Sequence, residues 1–228
     1  MFPRQNQNQF RTAGADVQIF YGARGSSGTT NSSQRSWNKP IGVSHIYMML
    51  IGGGSSGNGV DTGGGSGAVT VWYGAAQNVP DSLVVISSRG NSVDTTVSAR
   101  FSNSALAPTV LLTAFTASGI TGGVAMTANQ FTASGFFQSV AGQDGPTGSL
   151  ISASATTFLT GGGNSGGANP ERTNYGYTTS NTTPSPGFFM LQPIIVGIGG
   201  VDSTTGGLGC GGGVSGAGGE GLVLIVSW

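Results

Sequence analysis

Glycine in this chain falls in clusters, and most of these clusters abut a segment that reads as a β-strand. Residues 52–54 follow directly on the apolar run 44–51. Gly57, Gly59, residues 63–65 and Gly67 then lead into the alternating segment 68–73. A second cluster occupies 161–163 and 166–167. A third runs from Gly197 through 199–200, 206–207, Gly209, 211–213, Gly216 and 218–219 to Gly221, just ahead of 222–228. Such tracts have two physical fates. They can remain flexible connections, because glycine loses the most conformational entropy on ordering. Alternatively, they can pack backbone against backbone as extended, polyproline-II-like segments, where only a residue without Cβ fits. Regular interleaving with strong strands predicts the second.

The remaining pattern is that of a β protein. No window carries apolar residues at the helical spacing i, i+3, i+4, i+7. Val17, Ile19 and Tyr21 alternate within 16–22, and Val69, Val71 and Tyr73 oppose Thr70 and Trp72 within 68–73. The run 44–51 is almost continuously apolar, as expected of a strand covered on both faces. Further strands are expected at 83–87, 95–101, 110–115, 130–140, 150–159, 188–191, 194–198 and 222–228. Short strands broken by Gly, Asn, Ser and Pro predict an all-β sandwich or jelly-roll-like domain.

Charge is sparse. Asp, Glu, Lys and Arg make up 7% of the chain, with eight basic against eight acidic residues, and Lys39 is the only lysine. Ordinary soluble domains carry about 25%. A neutral balance supplies no electrostatic pull toward nucleic acid, and low charge density favours association, which fits a permanent place in an assembly. No segment has the apolar length of a membrane helix, and the polar N-terminus lacks a secretory pattern. Assembly in a cytoplasm is the expectation.

The stretch 1–35 differs from the rest. It is Gln/Asn-rich at first and holds four of the seven arginines: Arg4, Arg11, Arg24 and Arg35. Two readings stand: an arm that docks on a neighbour through Arg4, Arg11 and Arg24, followed by a linker, or a frayed terminus with one stray strand. The domain proper is expected over 36–228.

Residues able to do chemistry are scattered. His45 is the sole histidine and Cys210 the sole cysteine, too few for a zinc site, and no Ser or Cys with an acid is placed to form a triad with His45. Residues 207–212 fit G-x-G-x-x-G, but no helix follows, so the dinucleotide reading fails. Asp61, Asp81, Asp94, Asp144, Asp202 and Glu220 each lie beside turn-forming residues. No catalytic, cofactor-binding or metal-ligating residue is therefore assigned. The most binder-like feature is the loop 168–177 with Asn174, Tyr175 and Tyr177, joined by Trp37 and Trp72, since aromatic faces stack on sugars.

Three segments carry a resemblance. Ser36-Trp37-Asn38-Lys39-Pro40-Ile41-Gly42-Val43 leads into the strand 45–51 and residues 52–54. Asn78-Val79-Pro80-Asp81-Ser82-Leu83-Val84-Val85-Ile86 follows, and Gly221-Leu222-Val223-Leu224-Ile225-Val226-Ser227-Trp228 closes the chain. Together these resemble the glycine-rich domain of bacteriophage virion proteins, chiefly tail fibres and other appendages. The likeness spans roughly 36–228, with its two ends closest. Residues 95–160 hold fewer glycines, and the runs are broken by Ser and Asn, so a conventional sandwich is expected to dominate over a regular glycine lattice. The resemblance implies a non-enzymatic virion structural protein outside the particle, such as a capsid decoration, coat or spike subunit. It also implies a homotrimer bound to other virion proteins. Alternatives are a tail-fibre or tip adhesin holding a host surface glycan, and a polysaccharide hydrolase of a phage appendage. An ice-binding protein would need regularly spaced Thr, and the Thr here are irregular.

Overall fold

A computed structural model of the chain describes residues 14–22, 32–57, 62–88, 93–99, 108–145 and 205–228. Among the described residues nine strands form two antiparallel sheets: β1 (Asp16–Tyr21), β2 (Ser32–Asn38), β3 (His45–Ile51), β4 (Val69–Ala75), β5 (Ser82–Ser88), β6 (Thr95–Ala99), β7 (Thr109–Ala114), β8 (Gly135–Val140) and β9 (Leu222–Ser227). One sheet has the order β1-β9-β3-β4-β8 and the other β2-β5-β6-β7. The fold is all-β, as the strand pattern predicts.

Alternation along each strand sorts the side chains. Ile46, Met48 and Leu50 of β3, Trp72 of β4, and Val223 and Ile225 of β9 meet Trp37, Leu83, Val85, Val97 and Leu112 from the second sheet in one core. The opposite face of the five-stranded sheet is apolar too: Met49, Ile51, Val69, Val71, Leu222, Leu224 and Val226 form a second cluster, joined by Val17, Tyr47, Leu208 and Trp228. This explains the near-continuous apolar reading of β3 and β9, which are interior strands hidden on both faces. Burying each Leu or Ile in this way contributes about 1.5–3 kcal/mol before entropy is counted.

Two segments depart from the sequence reading. The expected strand 130–140 begins only at Gly135, because Asn129 and Thr132 lock the preceding residues into a turn. Thr132 N–H donates to Asn129 Oδ1 (3.0 Å) and Asn129 N–H donates to Thr132 Oγ1 (2.8 Å). Polar residues 32–38 form strand β2, which pairs with β5 from Ser32↔Ser88 to Asn38↔Ser82. Strand β1, within the stretch read as a docking arm, pairs with β9 and places Phe20 in the core.

Beyond the ends of β3, β7 and β8, and ahead of β4 and β9, the chain enters a bundle of five extended segments: 52–57, 62–68, 115–123, 141–145 and 205–221. Its hydrogen bonds repeat every three residues. Gly64 and Gly67 donate to Gly212 and Gly209 of one neighbour, Gly65 and Ala68 to Gly119 and Phe115 of a second, and Ser66 to Gln143 of a third. The segment 52–57 behaves likewise: Gly52 and Ser55 donate to Ala68 and Gly65, while Gly54 and Gly57 donate to Gly219 and Gly216. In a sheet, successive N–H groups point to two sides. Three directions with a three-residue period are those of the polyproline II helix. A conventional sandwich thus does not displace the regular glycine tracts; the two structures are stacked end to end. The interrupting serines are accommodated within the bundle. Gln143 N–H donates to Ser66 Oγ (2.7 Å), and Ser55 Oγ donates to the Gly119 carbonyl.

Candidate functional site

The registers give the sandwich two unlike ends. Ile51, Val69, Val140 and Leu222 lie side by side at the end feeding the glycine bundle. At the other end lie His45, Ala75, Gly135 and Ser227, with the connections 39–44 and 76–81 beside them. Part-exposed functional side chains collect at this second end.

Backbone pairing brings three rings together. Trp228 N–H donates to the His45 carbonyl (3.1 Å), and His45 N–H donates to the Trp228 carbonyl (2.9 Å). Tyr73 lies on the adjacent strand β4, opposite Tyr47. The rings of His45, Tyr73 and Trp228 have centroids 5.8–5.9 Å apart, and their planes are inclined by only 9–18°. Three nearly parallel rings at equal separations cannot form one column, so at least one pair lies side by side and the cluster is broad. Each ring is part-exposed, and Phe136, paired with Tyr73 in register, is exposed beside them.

Ser44 sets the state of the imidazole. Its hydroxyl donates to the Trp228 carbonyl (3.2 Å) and also lies 2.9 Å from His45 Nδ1. One hydroxyl has one proton, so when it goes to the Trp228 carbonyl it is Nδ1–H of His45 that donates to Ser44 Oγ.

A groove of about 460 Å³ lies at the same end of the sandwich, lined by residues 39–43, Ala76, Gln77 and Asp81. Ala76 N–H donates to the Ser44 carbonyl (2.9 Å), which fastens groove to ring cluster. Lys39 Nζ spans the groove wall, donating to the carbonyls of Val79 (2.8 Å) and Ala76 (3.2 Å) and pairing with Asp81 Oδ1 (2.8 Å). Gly42, with φ +85°, turns the loop 40–43 and leaves Ile41 fully exposed at the lip.

Tyr47 lies next to the rings on the outer apolar face, and burial pushes its phenol up from 10.0 to about 12. The folded chain keeps this proton to higher pH than the unfolded chain. Its contribution is complete below pH 10 and declines by about 1.4 kcal/mol per pH unit as pH rises from 10 toward 12. Urea titrations at pH 9 and 11.5 are expected to show this loss in the natural chain and a flatter response in Tyr47→Phe. Equal losses in the two would assign the effect to other groups.

The sequence-derived candidates are distributed otherwise. Asn174, Tyr175 and Tyr177, and the arginines Arg4, Arg11 and Arg24, lie outside the described residues, as do Asp61 and Asp202. Trp37 and Trp72, read as binding aromatics, are instead core residues, 1% and 0% exposed. Both occupy inward positions of strands, where their large apolar area is hidden between the sheets. Cys210 is buried in the glycine bundle. The G-x-G-x-x-G run is not a phosphate cradle, since the N–H groups of Gly209, Cys210 and Gly212 donate to the carbonyls of Glu220, Gly207 and Ser55. Asp16 accepts from Gln18, Asp94 from Thr116 N–H and Asp144 from Gly122 N–H. Among the described residues no three of His, Cys, Asp and Glu gather as metal ligands.

Tyr73, Trp228, Ser44 and Gln77 were not singled out from sequence. Alternation places Tyr73 opposite Trp72 on its strand, but only the pairing of β9 with β3 brings Trp228 to it. No family model, curated protein or solved structure matches the chain.

Proposed function

We propose that the chain is a non-enzymatic structural protein on the outside of a bacteriophage particle, acting as a capsid decoration, coat or spike subunit. The observation that carries this reading is the glycine bundle with its three-residue hydrogen-bond period. A block cross-linked through backbone in three directions is stiff without needing a large side-chain core, which suits a part that must hold a surface at a fixed place. Of the residues resembling phage appendage domains, 36–43 lie toward the end of the sandwich opposite that bundle, and 221–228 run from the bundle to that end. Low charge fits a permanent place in an assembly, and a homotrimer is the proposed state. The described aspartates serve local structure, which supports a role without catalysis.

Quantitative mass spectrometry of purified particles tests the proposal. Hundreds of copies are expected for a decoration or coat subunit and about a dozen for spikes. Absence from particles would overturn it. The part-exposed ring cluster favours one second reading, a tail-fibre or tip adhesin, in which the bundle carries the opposite end toward a host surface.

A further inference from the structure

We propose that the end of the sandwich opposite the glycine bundle is a binding site for a neutral pyranose oligosaccharide, with His45, Tyr73 and Trp228 as its stacking surface and Gln77 and Asp81 as hydrogen-bonding groups. This proposal does not depend on where the chain sits in a particle.

Three observations converge on this ligand class. The first is shape: nearly parallel rings, part-exposed and laterally spread, match the C–H face of a sugar, which packs on aromatic faces. The groove at the same end has the volume of an ordinary small-ligand site. The second is unspent polarity. Among the described residues no group bonds His45 Nε2, Tyr73 Oη, Trp228 Nε1 or the Gln77 amide. They offer an imidazole nitrogen, a hydroxyl and two kinds of N–H donor around an apolar floor, the combination that pairs with sugar hydroxyls.

The third is charge. Among the described residues the outward positions of β1, β9, β3, β4 and β8 carry no acidic or basic side chain apart from the imidazole of His45. In the groove Lys39 and Asp81 neutralise each other. A charged ligand would find no counter-ion, whereas a neutral one leaves no charge unpaired. Asp81 is 93% exposed, so its second carboxylate oxygen is open to a hydroxyl.

The tryptophans supply the readout. Trp37 and Trp72 are shut inside the core, so solvent quenching of fluorescence reports Trp228. Titration with cellotriose and maltotriose, the β- and α-linked glucose trimers, is expected to protect Trp228 from acrylamide saturably, with a dissociation constant of about 1 mM for at least one of them. Tyr73→Ala should weaken that binding tenfold or more. Gln77→Ala alters an exposed side chain with no bond of its own among the described residues, and should weaken binding about three- to tenfold without lowering the melting temperature. It carries the test if Tyr73→Ala fails to fold. No saturable protection by either trimer at concentrations up to about 50 mM would overturn the proposal. So would unchanged binding in Gln77→Ala, or tighter binding of a sialylated trisaccharide than of the neutral ones.

Discussion

Gly67→Ala is expected to cost about 4 kcal/mol or more, close to the whole stability of many domains. A Cβ at this position would overlap the Gly52 carbonyl and come within 2.8 Å of Gly52 Cα. All of these are backbone atoms, and none can swing aside as a side chain would. Gly52 cannot retreat, because its own missing Cβ is filled by the Phe115 carbonyl and its N–H is bonded to Ala68. Relaxation must therefore break bonds from Gly67 to Gly209 or from Ala68 to Phe115. Overpacking of this kind costs about 1–3 kcal/mol, and each buried hydrogen bond left unmade adds about 1–3 kcal/mol. The urea midpoint should fall by about 2 M, given slopes near 2 kcal/mol/M. Gly119→Ala is the control. Gly119 has φ +57° with open space around it, so alanine there should cost only about 1 kcal/mol of backbone strain. Amide exchange should agree, with Gly54, Gly64 and Gly212 protected as well as the amides of β3. Equal costs for the two substitutions, or exchange at random-coil rates, would show that the bundle yields.

Trp72 is expected to separate volume from polarity. Its ring is fully buried, packs on Phe131 at 4.8 Å, and occupies a slot left by two glycines. A Cβ on Gly135 would lie 2.8 Å from the indole, and one on Gly74 only 2.7 Å from its far edge. Trp72→Ala should therefore cost about 3–5 kcal/mol through the cavity it leaves. Trp72→Phe should cost much less, about 1 kcal/mol. Among the described residues the buried Nε1–H has no partner, so removing it recovers a desolvation penalty of about 1–3 kcal/mol that offsets the lost volume. Thermal or urea unfolding of both variants decides the matter. Should phenylalanine prove as damaging as alanine, the shape of the indole alone would account for Trp72.

The strands were legible where burial is strong. Runs such as 44–51 and 222–228 are apolar enough that only an interior strand accommodates them, and β3 and β9 are such strands. Strand β2 was hidden because it is an edge strand whose exposed Gln34 and Ser36 alternate with Trp37, leaving one large apolar residue to signal it. Period two along β4 separates Trp72 from Tyr73, but cannot say which faces the second sheet, and the binding role fell on the wrong aromatic. The ring cluster is a product of topology. His45 and Trp228 are 183 residues apart in a chain where nothing local couples them, and only the insertion of β9 between β1 and β3 joins them.

The glycine bundle also fixes how this part of the molecule can change length. A single residue inserted into 62–68 would rotate every later amide by a third of a turn, sending each bond toward the wrong neighbour. Three residues added together restore the original directions and merely lengthen the rod. Changes in segment length that come in threes therefore preserve the bond directions, and a gene that gains or loses nine nucleotides at such a site leaves the lattice in phase.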